Sequence, residues 1–316
     1  MPGTYTATLD NVGAAITSVI QPQIEDAVYD NYALFAILEA KGNIVMPDPS
    51  FDISWPVVID MMNRGTYSGI GNFPGVEKQV LTRLVLPWKN AFVDCAVAGS
   101  DLMRASGPYA AFQLADALKQ NMMMTIMDYT GELIYGDGFA TDLDGMANGI
   151  DDGTLYGTYG GQSRTTYPKL KSVVDGAGAT FTLPYLTSLQ SRVRVGQARV
   201  DVIATTQELW DAAQNRAQTQ QTFNKNDERN NVARLGFTVV SHMGADIVDD
   251  SKVPAGHMFG INTDYVKFFV HRERMWAFSG WKDVARGDGA LAAMLLMGNM
   301  ACTNPRMSFK SFNVTA

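Results

Sequence analysis

The densest group of side chains that could do chemistry is an acidic stretch in the first half of the chain. Five aspartates lie within 16 residues there: Asp137, Asp142, Asp144, Asp151 and Asp152. A calcium loop of the EF-hand type needs oxygen ligands at alternate positions and a closing glutamate. Here Gly145 follows Asp144 directly and the stretch contains no glutamate, so the pattern favours a solvated loop.

The other reactive residue types are few and scattered. His242, His257 and His271 are the only histidines, and no HxH or HxxxH spacing joins them into a metal site. No serine lies in a G-x-S-x-G elbow, and neither Cys95 nor Cys302 has a histidine near it in the sequence. No glycine-rich turn matches a phosphate loop between a strand and a helix. The sequence therefore predicts no catalytic, cofactor-binding or metal-binding residue, and no enzyme.

The composition narrows the class of protein further. The chain has 316 residues, a formal charge of -7 and 18% charged residues, below the roughly 25% that is typical of soluble domains. The negative charge argues against a nucleic-acid reader built on a basic face. The longest apolar run, residues 290–297, is far shorter than the ~20 residues of a membrane span. A surface poor in charge favours extensive contact with other molecules, copies of this chain among them.

Two alternating segments predict a pair of strands. Between them lies a glycine-rich stretch, residues 63–77, without periodicity, so we expect a two-stranded ribbon with a flexible tip. An isolated two-stranded ribbon is marginal in water and must pack on something else. The apolar ribbon residues expected either to pair internally or to pack on a neighbouring subunit are Phe51, Ile53, Trp55, Leu84, Leu86 and Trp88.

A long helix is predicted next, and after it an alternation of helices and strands. Apolar residues recur at helical spacing over Pro108 to Ile134, 27 residues that would extend roughly 40 Å at about 1.5 Å per residue. A helix opens at Pro184, and the spacing of Thr205 and Glu208 predicts a capping box for another. Residues 218–234 read as a polar surface loop. The strands predicted in this half are Val200–Ala204, Phe237–Ser241, Asp246–Val248, Met258–Ile261, Tyr265–Val270, Ala290–Met297 and Ala301–Phe312. The fold class is α+β.

The order of these elements resembles the major capsid proteins of tailed bacteriophages, which have the Hong Kong 97 fold. Three stretches carry the resemblance. The first comprises Leu133–Gly138, Gly145–Met146, Ile150 and Tyr159–Arg164, and the second comprises Leu235–Phe237, Gly244–Asp250, Val253–Gly256 and Gly260–Tyr265. The third is the closing Gly298–Arg306. The order and spacing of these motifs together are specific, and the match covers roughly residues 20 to 312.

The resemblance implies a division of the chain into named parts. The ribbon would be the family's extended loop, or E-loop, and the long helix the spine of the peripheral (P) domain. The implied boundaries are 1–47 for the N-arm, 48–88 for the E-loop, 89–181 for the P domain, 182–285 for the axial (A) domain and 286–316 for strands that return to the P domain.

The resemblance also implies a function without chemistry. Copies of the chain would assemble into pentamers and hexamers that form an icosahedral head shell around the phage genome. The implied partners are the chain itself, scaffolding, portal and decoration proteins, and packaged double-stranded DNA held non-specifically on the inner face. No cofactor and no membrane are implied. The protein would be located in the virion after assembly in the host cytoplasm.

Three alternatives stay open. An encapsulin-like nanocompartment shell shares the fold, and cargo enzymes encoded beside it would favour that interpretation, whereas terminase, portal and tail genes would favour a phage. A small α/β enzyme built on residues 182–250 would need a nucleophile or phosphate loop that the sequence does not offer. A head-decoration or adaptor protein would normally be much smaller than this chain.

Overall fold

The computed structural model describes residues 33–47, 52–71, 75–104, 108–217, 240–284 and 287–316. Helices and sheets are mixed along this part of the chain, as the sequence predicts. Three predicted parts of the chain lie outside the described residues: Phe51, the whole polar loop predicted at 218–234, and residues 1–32 of the N-arm predicted at 1–47. The α-helices are α1 (Ala33–Ala40), α2 (Gly99–Arg104), α3 (Pro108–Tyr135), α4 (Met146–Gly149), α5 (Leu183–Val193) and α6 (Gln207–Ala217).

Within the described residues, the strands form two six-stranded sheets and two hairpins. The first sheet contains β1 (Ile44–Val45), β4 (Lys89–Ala98), β12 (Val266–Val270), β13 (Ala277–Phe278), β14 (Lys282–Asp283) and β15 (Gly289–Cys302). The second contains β7 (Val173–Asp175), β8 (Val202–Thr205), β9 (Val240–His242), β10 (Ala245–Asp249), β11 (Met258–Ile261) and β16 (Phe309–Ser311). The hairpins are β2 (Asp52–Val58) with β3 (Leu81–Pro87), and β5 (Thr158–Tyr159) with β6 (Gln162–Ser163).

The first sheet is organised around β15, which runs without interruption for 14 residues. It pairs with β4 from Gly289 to Gly298 and with β12 from Gly298 to Cys302. The sequence-based prediction of separate strands at 290–297 and 301–312 was wrong at this point. A Cβ on Gly298 would lie 2.6 Å from the carbonyl oxygen of Phe269. Glycine there permits close approach of β12 and does not end the strand.

The predicted ribbon is confirmed as the antiparallel pair β2–β3. Its register places Ile53 opposite Leu86 and Trp55 opposite Leu84. Proline has no N–H for a ladder and is found at strand edges, so Pro56 is compatible with β2 because β3 is its only partner within the described residues. The described residues between the two strands adopt no helix or strand.

The long helix α3 packs on β4 and β15. Met122, Ile126 and Leu133 are buried, at the helical spacing that the sequence predicted. The short helix α1 packs beside them: Leu34, Ile37 and Leu38 are buried, and Phe35 meets the ring of Phe268 edge-on. One apolar core thus joins α1, α3, the ribbon and the first sheet.

The second sheet is covered by α5 and α6 around a separate core that includes Leu186, Ile203 and Phe309. The capping box predicted at Thr205 and Glu208 was wrong. Thr205 belongs to β8, where it pairs with both Asp249 and Met258, because the sheet continues through it. Helix α6 then begins at Gln207, and the first helical hydrogen bond runs from the Trp210 amide to the carbonyl oxygen of Thr206.

Candidate functional site

The apolar ribbon residues divide into buried and accessible ones. Ile53, Leu84 and Leu86 are at most 4% exposed and belong to the chain's own core. Trp55 and Trp88 are only partly buried. The sequence left two roles open for these residues, internal pairing and contact with a neighbouring subunit. The structure describes internal pairing, and contact with a neighbour stays a prediction.

A different set of apolar residues is exposed at the far end of the ribbon. Ile70 is fully exposed and Met62 is 70% exposed, although burial of such side chains is favourable. The large apolar residues exposed in this segment, which we call the ribbon tip, are Val58, Met61, Met62, Tyr67, Ile70, Val76 and Leu81. Exposed apolar side chains that are concentrated in one segment are typical of interaction sites. Sequence reasoning missed these residues because they follow no period; their density in a glycine-rich stretch was the available signal.

The near half of the ribbon is fixed to the body by the β5–β6 hairpin. The amide of Val85 donates a hydrogen bond to the carbonyl oxygen of Gly160 over 3.1 Å. The ring of Trp55 lies 6.5 Å from that of Tyr159, centroid to centroid. These contacts support the half of the ribbon that lies nearer to the body.

A buried polar group holds the base of the ribbon. The Asn299 amide nitrogen donates to the carbonyl oxygen of Pro87 over 3.0 Å and to Asp144 Oδ2 over 2.7 Å. In return, Asn299 Oδ1 accepts from the Asp144 amide over 2.7 Å. These bonds join the end of β3, the loop after α3 and strand β15. Because buried polar groups are costly when unpaired, the three segments are held in one arrangement.

The ammonium group of Lys89 organises the acidic loop after α3. Its Nζ donates to the carbonyl oxygens of Gly138 at 3.1 Å, Ala140 at 3.5 Å and Asp142 at 2.5 Å. The carboxylate of Asp144 lies 3.5 Å away. Three carbonyls and a carboxylate are oxygen ligands of the kind that hard cations prefer, and here a lysine of the same chain supplies the cation. The acidic stretch is thus not simply a solvated loop.

A second buried charge cluster ties the following segment to the second sheet. Arg164, Asp151 and Lys310 are each at most 2% exposed. Lys310 Nζ donates to Asp151 Oδ1 over 3.0 Å, and the guanidinium of Arg164 lies 3.6 Å from Asp151 Oδ2. Burial lowers the pKa of both Arg164 and Lys310, and the negative charge of Asp151 opposes that shift. The guanidinium also donates to the carbonyl oxygens of Asn148, Gly149, Tyr156 and Leu170.

A third buried carboxylate anchors α1. Asp250 accepts hydrogen bonds from the amide of Leu34 at 3.1 Å, the hydroxyl of Tyr135 at 3.0 Å and the amide of Lys252 at 3.0 Å. Leu34 is the second described residue of α1, and this bond gives its amide a partner outside the helix. Burial raises the pKa of Asp250, and these donors oppose that shift. The bonds connect α1, the end of α3 and the turn after β10.

The reactive side chains do not form a catalytic arrangement in the part of the chain that the structure describes. Burial raises the pKa of Cys302 to about 12, the opposite of the shift that activates a thiol nucleophile. Among the described residues, no group of three or more His, Cys, Asp or Glu side chains could hold a metal ion. No described helix is long and apolar enough to cross a membrane.

Comparison with known proteins identifies the fold. No family model and no curated protein matches the chain. Among solved structures, the cyanophage A-1(L) capsid asymmetric unit matches with a TM-score of 0.69 and 14% identity, covering 93% of this chain and 96% of that one. The capsid of the native GTA particle matches with a TM-score of 0.62 and 9% identity, over 94% and 95% of the two chains. The SrpI encapsulin of Synechococcus elongatus PCC 7942 matches with a TM-score of 0.53 and 12% identity, over 95% of each chain.

The chain therefore has the fold of tailed-phage capsid proteins over nearly its whole length. This finding confirms the fold expected from the sequence resemblance. The neighbours named above are shell proteins and not enzymes, so they lend no support to the small α/β enzyme alternative.

Proposed function

We propose that this chain is a major capsid protein that assembles with copies of itself into pentamers and hexamers of an icosahedral phage head. The observation that carries the proposal is the exposed apolar ribbon tip on a chain with a phage capsid fold. A subunit that leaves Met62 and Ile70 in water gains stability when a neighbour covers them. The protein would then be located in the virion, with assembly in the host cytoplasm.

The proposal assigns a role to each part of the chain. The ribbon would be the E-loop (48–88), α3 the spine of the P domain (89–181), and the second sheet with α5 and α6 the body of the A domain (182–285). Residues 1–47 would form the N-arm and 286–316 the return strands. Phe51, Trp55 and Trp88 stay candidates for contact with a neighbour, and the ribbon tip joins them.

Other partners follow from the same proposal. A phage head needs scaffolding during assembly, a portal at one vertex and in some cases decoration proteins outside. The double-stranded DNA would lie non-specifically against the inner face. A net charge of -7 gives the chain little overall electrostatic attraction for phosphates, so the shell would enclose the DNA and not bind it tightly.

An encapsulin-like nanocompartment is the second candidate, and the match to the SrpI encapsulin favours it. The contents of particles purified from the native source discriminate the two. A phage head yields double-stranded DNA after protease treatment, whereas a nanocompartment yields one protein cargo in place of a genome.

A single charge at the ribbon tip tests the proposal. We expect Ile70→Asp to raise the concentration at which shells form by about tenfold or more, because an unpaired carboxylate would have to be buried at the contact. The measurement is light scattering against protein concentration, with sedimentation velocity to identify the products.

Ser68→Asp is the matched control for this variant. Ser68 is exposed in the same segment, so the substitution adds the same charge without removing an apolar side chain. We expect Ser68→Asp to change the concentration at which shells form much less than Ile70→Asp does. Equal thresholds for Ile70→Asp and the unaltered chain would contradict a contact through the tip.

A further inference from the structure

Phe139 is presented to solvent in an unusual way. Its side chain is 79% exposed, at the outer end of the loop after α3. The two residues beside it, Gly138 and Ala140, both have positive φ, at 72° and 54°. An alanine in this conformation is uncommon and is held by surrounding structure. The backbone thus turns sharply on both sides of an exposed aromatic ring.

The backbone on both sides of Phe139 is fixed by hydrogen bonds. The Phe139 amide donates to Asp137 Oδ1 over 3.1 Å, and its carbonyl oxygen accepts from the Asp142 amide over 3.1 Å. Lys89 holds the carbonyls of Gly138, Ala140 and Asp142 from inside. A ring on so constrained a loop loses little conformational entropy when it binds. Exposed aromatic residues presented in this way are the usual anchors of protein interfaces.

A mainly apolar cleft, which suits an aromatic side chain, lies beside the ribbon. It measures about 440 Å³ and opens between β2 and the turn after β15. Pockets of roughly 300–1,000 Å³ enclose small ligands, so an aromatic side chain and its flanks fit this space. Its lining is mainly apolar and includes Trp55, Val57, Leu170 and Met307. Phe139 of the same chain is not among the lining residues.

Charge is complementary between the loop and the cleft. Lys169 and Arg306 are the cations among the residues that line the cleft. Two exposed acidic residues, Asp137 and Asp142, flank Phe139 on the loop. The acidic aromatic loop of one copy would therefore attract the basic apolar cleft of another copy. Two loops would repel each other, and so would two clefts.

We propose that the Phe139 loop of one copy inserts into the ribbon cleft of a second copy. The inference rests on the proposed self-assembly and names one contact through which it occurs. Because loop and cleft are different surfaces, the contact is heterologous, and repetition of a heterologous contact builds closed rings or open chains. Trp55, a ribbon residue singled out from the sequence, then contributes to the interface as part of the cleft.

Cross-linking tests the contact directly. In a Cys95→Ala background, the variant Thr141→Cys/Met61→Cys carries one engineered thiol on the loop and one at the cleft, and it keeps the Phe139 ring. Thr141 is exposed and Met61 is 63% exposed. Mild oxidation is expected to give a ladder of disulfide-linked oligomers on denaturing gels. The single variants Thr141→Cys and Met61→Cys should give no ladder, because a lone thiol has no partner at a heterologous contact.

Charge reversal provides a second, independent test. Asp142→Lys and Arg306→Glu should each raise the assembly threshold, the protein concentration at which shells form, by about tenfold. The double variant should bring the threshold most of the way back to that of the unaltered chain, because opposite charges face each other again. The Asp142 substitution leaves its carbonyl bond to Lys89 in place. Phe139→Ala should raise the assembly threshold at least as much. Leu155→Ala removes a 60% exposed apolar residue that lies three positions after the acidic stretch, and it should have little effect.

The results separate this inference from the proposed function. Shells without a ladder, and unaffected by Phe139→Ala, would overturn the contact and leave the shell function standing. A ladder without shells would support the contact and overturn the shell function. The absence of both would overturn both.

Discussion

Deletion of residues 60–77 is expected to abolish shell formation while the rest of the chain still folds. The deleted segment contains most of the exposed apolar residues of the ribbon tip, among them Met62 and Ile70. The ribbon residues that belong to the core, Ile53, Leu84 and Leu86, lie outside it. A short Gly/Ser turn joining Ile59 to Lys78 would preserve the β2–β3 pairing. Sedimentation velocity reports assembly, and the thermal unfolding transition reports the body.

A replacement of the same segment by Gly/Ser residues of equal length is the matched control. It preserves the reach of the ribbon and removes the apolar side chains, so we expect it to fail in assembly as the deletion does. If both variants form normal shells, the ribbon tip is not an assembly element.

Arg164→Met is expected to lower the free energy of unfolding by about 3–5 kcal/mol, the usual cost of removing one partner from a buried charged pair. The variant leaves Asp151 with Lys310 as its remaining cation in the cluster. It also leaves the carbonyl oxygens of Tyr156 and Asn148 without their donor. Urea denaturation of the unassembled subunit measures the change.

Arg192→Met is the control for this substitution. The Arg192 side chain is 51% exposed, and its guanidinium lies 3.7 Å from Asp175. Exposed ion pairs contribute roughly 0–1 kcal/mol to stability, so Arg192→Met should lower the free energy of unfolding by less than about 1 kcal/mol. A similarly small loss for Arg164→Met would show that the buried cluster does not hold the segment 147–170 to the second sheet.

The elements that the sequence predicts well are those with a strong local pattern. Alternation of apolar residues located β2 and β3, and helical spacing located α3 to within one residue at its end. The sequence also predicted strand β11 with the bounds that the structure has, Met258–Ile261. These patterns follow from the periods of helix and strand, which a single segment is long enough to display.

The elements that it predicts badly depend on partners far away in the chain. Gly298 reads as a break until Phe269 is seen to approach it from β12. Thr205 reads as a helix cap until β10 and β11 are seen to extend the sheet through it. Local signals cannot reveal which of two compatible roles the neighbouring strands select.

The candidate site illustrates the same limit. Lys89 lies about 50 positions before the loop whose carbonyls it binds, and Lys310 is distant in the sequence from Asp151. The motif residues Arg164 and Asn299 were recognised only by resemblance. The structure gives each a physical role, as a donor to buried carbonyls and as the clamp at the base of the ribbon.

Electron microscopy of the purified protein under assembly conditions tests the central claim most directly. The account predicts closed shells of uniform diameter, with fivefold and sixfold rings of subunits resolved after averaging. A population that stays monomeric or dimeric across the concentrations and ionic strengths tried, whether or not it turns over a substrate, would contradict it.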